Sequence, residues 1–92
     1  MTIDIGPWRA EIAHVPVFND SGLDGFHVEL RAFTCLVDGV SVVVPEGHVA
    51  RTWLEKKLAD EKQYDIRRDA GRAVEQFVDY LAIAVRDEEP VR

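Results

Sequence analysis

The chain of 92 residues is 47% hydrophobic and 30% charged, the profile of one soluble globular domain with a core but no room for a deep cleft between two domains. No apolar run approaches the roughly 20 residues of a membrane span, and Met1-Thr2-Ile3-Asp4 has neither the basic start nor the apolar stretch of a signal peptide, so a cytoplasmic chain is expected. A formal charge of −6 repels nucleic acid at long range and argues against non-specific DNA binding.

Gly6-Pro7 punctuates the start, and a first strand is expected over residues 8–18. Its apolar set is Trp8, Ala10 and Ile12 and then, one step out of phase, Ala13, Val15 and Val17. Asn19-Asp20-Ser21-Gly22-Leu23-Asp24-Gly25 is dense in turn formers and reads as the connecting loop. The second strand, 26–37, repeats the phase switch with Val28, Leu30 and Ala32, then Phe33, Cys35 and Val37. Antiparallel pairing with Ile12 opposite Phe33 sets Trp8 against Val37 and Ala10 against Cys35 on one face. The other face receives Ala13 with Ala32, Val15 with Leu30 and Val17 with Val28. One hairpin thus carries two apolar patches, of which a single core covers one. The second is either turned inward by a bulge or offered to a partner. Asp38-Gly39 is the strongest hairpin signal in the chain, because both central residues of a type I′ turn need positive φ. It sets a third strand with Val37 against Val40, Cys35 against Val42 and Phe33 against Val44.

Pro45 closes the sheet, and Val49, Trp53, Leu54 and Leu58 predict a helix over residues 48–61. A break at Gln63-Tyr64 precedes a second helix over 66–87, N-capped by Asp65. Its stripe is Ile66, Ala70, Ala73, Val74, Phe77, Leu81, Ala84 and Val85, with Val78 and Ile83 off the stripe, as in a helix clamped on two sides or buried in an oligomer. Pro90 and the acids Asp87, Glu88 and Glu89 end it, the acids unfavourably for the helix dipole. The expected fold is α+β: a three-stranded antiparallel meander in order 1-2-3, then two C-terminal helices packed on one face, in one domain spanning 1–92.

Candidate chemistry is sparse. His14 faces Arg31 in the expected register and His27 lies near the hairpin loop, so both read as exposed strand residues, and His48 as a helix-start residue. No paired metal-ligand spacing occurs, and no metal or other cofactor is expected. The loop from Asp20 resembles the start of a calcium-binding loop in Asp20, Asp24 and Gly25, but has Gly22 and Arg31 where oxygen ligands are needed. Cys35 has no second cysteine to pair with, which fits a reducing compartment. It faces the core, and no histidine and acid are placed to activate it or Ser41. An enzyme is not expected. Arg67, Arg68 and Arg72 open the second helix near Lys56, Lys57 and Lys62. They read either as a small basic edge for phosphate or an acidic partner, or as a solvated face paired with Asp69 and Glu75; the second reading is favoured because no aromatics alternate with the bases.

The strand half is acidic, with Asp4, Glu11, Asp20, Asp24, Glu29, Asp38 and Glu46 against Arg9 and Arg31, while residues 51–86 are close to balance. In size, charge and topology this compact acidic format resembles that of phage-encoded inhibitors such as anti-CRISPR proteins. The resemblance implies a small protein that occupies a basic, nucleic-acid-handling surface of its target. The leading expectation is therefore a non-catalytic protein-binding module. Val15, Val17, Val28 and Leu30 would supply affinity, and Glu11, Glu29, Asp20 and Asp24 charge. The alternatives are a homodimeric nucleic-acid-associated regulator using Arg67, Arg68 and Arg72, and an accessory subunit whose patch is a permanent interface.

Overall fold

The computed structural model describes residues 1–64 and 67–89, with the backbone only of 61–64. Strands β1 (Thr2–Ile5), β2 (Trp8–Asn19), β3 (Gly22–Val37) and β4 (Val40–Val43) precede helices α1 (Val49–Tyr64) and α2 (Ala70–Val85). The fold is α+β, as expected, but the sheet has four antiparallel strands in order β1-β2-β3-β4 rather than three. The added strand is β1. Gly6-Pro7 is not the border of the first strand but a two-residue turn that brings Ile5 opposite Trp8. Gly6 takes a φ of 56° there, the left-handed region that a residue without Cβ occupies at low cost. The chain start is tied down as well, since the Met1 α-amino group donates to the Ile12 carbonyl at 3.0 Å and the Ile12 N–H to the Met1 carbonyl at 2.9 Å.

The β2–β3 register differs from the expected one by two residues. Trp8 faces Cys35 and Ala10 faces Phe33, replacing the Trp8–Val37, Ala10–Cys35 and Ile12–Phe33 pairs. Past that point Glu11 faces Ala32 while Ile12 faces Leu30, so Arg31 has no partner and forms a β-bulge. The extra residue swaps the faces of β3 beyond it. Phe33 and Cys35 enter the core on one side of the bulge, Leu30 and Val28 on the other. No compensating residue is inserted in β2 at that point, so Ala13, Val15 and Val17 stay on the face away from Trp8, Ala10 and Ile12. The inward turn by a bulge is thus realised on β3 alone, and the patch residues of β2 remain on the outer face. At the far end of β3 the expected turn forms, with Asp38 at φ 51° and Gly39 at φ 78°, setting Val37 against Val40 and Cys35 against Val42.

One core lies between the sheet and the helices. Phe77, Leu54, Leu81, Val44 and Cys35 are its largest fully buried side chains, and the Trp8 and Phe33 rings pack at 5.6 Å between centroids. Helix α2 lies against β1, β2 and β3, whereas α1 lies against β3 and α2. The expected stripe of α2 holds at Ala73, Phe77, Leu81, Ala84 and Val85. Its N-cap is Asp69, whose Oδ1 accepts from the Arg72 N–H at 3.0 Å. The expected cap Asp65 and first stripe residue Ile66 lie outside the described residues. Helix α1 runs through Gln63-Tyr64 without the expected break. Its inner residues are Ala50 and Leu54, with Trp53 and Leu58 half-buried, while Val49 is exposed, not in the core.

The bulge makes a specific forecast about two residues that a regular hairpin would place side by side. Leu30→Asp sets a carboxylate against the core and should cost about 3–5 kcal/mol, the scale of an unpaired buried charge. Val15→Asp, half-buried on the outer face and away from the core, should cost clearly less, about 1–2 kcal/mol. Urea denaturation of the two variants checks this, and equal losses would contradict the packing.

Candidate protein-binding surface on the distal hairpin

The hairpin formed by β2 and β3 is longer than the helical layer that covers it. The 16 residues of β3 span about 50 Å at roughly 3.3 Å each, comparable to the longest dimension of the molecule, 49 Å, against 20 and 18 Å for the others. Between α1 and α2 the chain meets the hairpin at Phe26, whose N–H donates to the Arg67 carbonyl while its carbonyl accepts from the Arg67 N–H at 3.1 Å. Residues 18–23 lie beyond this bridge, and all of them are exposed. The expected loop over residues 19–25 is in fact a turn at Asp20-Ser21, with Asn19 opposite Gly22. Asn19 holds it with its side chain, whose Oδ1 accepts from the Ser21 N–H at 2.8 Å and whose Nδ2 donates to Asp24 Oδ1 at 3.3 Å.

At this tip Phe18 and Leu23 face each other across the strands and are 69% and 54% exposed. A second irregularity makes the pair. Val17 faces Gly25 and Phe18 faces Leu23, which leaves Asp24 unpaired in the ladder. Neither Phe18 nor Leu23 was singled out by the sequence pattern, because Leu23 lies within a stretch dense in turn formers. The available signal was their symmetric placement about Asp20-Ser21.

The other expected site residues separate. Val15 and Val17 are half-buried on the outer face, opposite His27 and Gly25. Val28, 5% exposed, belongs to the core, and half-buried Leu30 packs against it on the helix side of the sheet. The cause is the Arg31 bulge. Asp20 is exposed and Asp24 half-buried beside the tip. Glu29 sits lower on the arm, its Oε2 at 3.2 Å from Arg31 Nη2 and its Oε1 at 3.5 Å from His27 Nε2. His27 is not an exposed strand residue. It is 6% exposed, and both ring nitrogens are buried without a hydrogen-bond partner among the described residues. His14, expected opposite Arg31, is exposed and faces Val28. His48 accepts through Nδ1 from the Ala50 N–H at 3.1 Å and so caps the start of α1.

The basic residues form no uniform positive face. Arg67 Nη2 donates to Gln76 Oε1 at 2.8 Å, and Arg67 and Arg72 share a shallow depression with Glu75, Gln76 and Asp79. Two carboxylates offset two guanidiniums there; Arg68 is exposed nearby in sequence. Elsewhere on the sheet Arg9 Nε lies 2.7 Å from Asp4 Oδ1, clasping β1 to β2 on the outer face, and that hydrogen bond and charge raise the Arg9 pKa above its usual value. Among the described residues no three of His, Cys, Asp and Glu gather into a metal-binding group. No helix of the structure is long and apolar enough to cross a membrane. Comparison with protein-family models, curated proteins and solved structures finds no match.

The outer edge of β2 has a built-in guard. Ile12 exchanges both backbone bonds with Met1, so by alternation His14, Pro16 and Phe18 direct their backbone groups to that same edge. Among the described residues nothing pairs with it beyond Ile12. Pro16 removes the middle donor, which discourages another strand from adding there. Pro16→Val should restore that donor and raise self-association with concentration, read by sedimentation. A variant as monodisperse as the parent would remove this role from the proline.

Proposed function

We propose that this chain is a non-catalytic protein-binding module that docks with the distal hairpin on a basic surface of a partner protein. The observation that carries the reading is the exposed Phe18–Leu23 pair, held at the end of an arm that the domain's own core does not use. Exposed aromatic and aliphatic residues clustered at one place are the usual anchors of an interface. Asp20 beside the pair, with Asp24 and Glu29 further along, supplies negative charge that steers the arm to a basic target and favours that target over acidic ones. Val15 and Val17 stand on the opposite face of β2 from Phe18 by alternation and offer a second apolar contact there. A basic surface that handles nucleic acid suits such an arm, since the carboxylates would stand where phosphates bind. Inhibition by occupancy, the mode implied by the resemblance to small phage inhibitors, is the form of this function we favour. The mixed charge around Arg67 and Arg72 lends less support to direct nucleic-acid binding.

The test uses the intact chain as bait to identify a partner, followed by calorimetry with the purified partner. Replacing both Phe18 and Leu23 by Ser should weaken binding by at least about tenfold while the fold persists, because two central apolar anchors are lost. Affinity should also fall with added salt. Unchanged affinity of the double variant would contradict the reading. A wild-type dimer that the same variant dissolves would replace the external partner with a second copy.

A further inference from the structure

We propose a second docking site, independent of the hairpin, in the groove between α1 and α2 on the side away from the sheet, and assign it a basic amphipathic segment of a partner protein. The groove is a hollow of about 170 Å³ lined by Val49, Trp53, Ile83, Ala84, Asp87 and Glu88. Val49 and Ile83 are 68% and 56% exposed at its rim. Among the described residues of the helices they are the two large hydrophobics left exposed: Val49 belonged to the expected inner stripe of α1 and Ile83 lay outside that of α2. Half-buried Trp53 lines the hollow with them. Its ring meets Tyr80 edge-on at 6.1 Å and carries Lys57 Nζ at 5.5 Å from its centroid.

Charge selects the occupant. Asp87 and Glu88 line one end of the groove, directly after the C-terminus of α2, and no basic residue lies in the last turn of that helix. The negative pole of the helix and the two carboxylates therefore reinforce one another, an arrangement unfavourable to the free chain and relieved by a cation. Arg86 is the single base among residues 86–89, and His48 Nε2 is 4.0 Å from Glu88 Oε2. A segment with an aliphatic side chain to fill the hollow and Lys or Arg one helical turn away matches both the apolar rim and the acidic end, the helix-in-groove mode of recognition.

The intact chain is titrated with a synthetic amphipathic helical peptide of Leu and Lys, and with the same peptide carrying Glu for each Lys. Trp53 emission reports binding, because the other indole, Trp8, is buried. The Lys peptide should bind saturably. Ile83→Asp, at an exposed position, should weaken it by about tenfold or more, as should Glu88→Lys combined with Asp87→Lys. The Phe18 and Leu23 double variant should bind it as the parent does, which separates this site from the hairpin. No saturable binding, equal binding to Ile83→Asp, or equal binding of the Glu peptide would each overturn the proposal.

Discussion

A single unpaired residue in the sheet, Arg31, decides what every other element can do. Antiparallel strands alternate faces without exception, so a strand whose apolar residues change phase cannot bury both halves unless a residue is inserted. In β3 the phase changes between Leu30 and Phe33, and Arg31 is the insertion. Its own side chain stays at the surface, where the guanidinium meets Glu29. With the bulge in place, Val28 and Leu30 reach the same core as Phe33 and Cys35, and α1 finds an apolar strand to cover. Without it α1 would face Glu29 and Arg31.

The same insertion leaves an unmatched partner. Strand β2 changes phase at Ile12-Ala13 but has no extra residue there, so its outer half stays off the core. Along that half Val15 and Val17 are half-buried opposite His27 and Gly25, and beyond Phe26 the pair Phe18 and Leu23 stands exposed. Pro16 on the open edge discourages strand addition there. The proposed docking accordingly uses side chains rather than the open edge. The groove at the far side of the helices follows the same logic, since Val49 and Ile83 add nothing to the core that Ala50, Leu54 and Leu81 already fill.

Most of the secondary structure was legible from local signals with a clear physical basis. Asp38-Gly39 determined its turn, and the spacing of Ala73, Phe77, Leu81 and Ala84 determined the inner face of α2. The paired phase switches were also visible in the residues. Which strand would bulge was not, because that depends on what lies above each half, and the position of α1 is a tertiary fact. Strand β1 escaped notice because Ile3 and Ile5 make too short an alternation to stand alone; its stability comes from pairing with β2 and from the anchored α-amino group. For the proposed site, Val15, Asp20 and Asp24 were chosen by pattern and charge. Val28 and Leu30 were misplaced by the register, and Phe18 and Leu23 were masked by the turn formers around them.

The register across the bulge is the point on which this account rests, and it is measured directly by nuclear Overhauser contacts between backbone protons of β2 and β3. Contacts are expected that place Glu11 opposite Ala32 and Ile12 opposite Leu30, with Arg31 opposite neither. Contacts placing Ile12 opposite Phe33 and Val15 opposite Leu30 would mean a regular hairpin, and would contradict it.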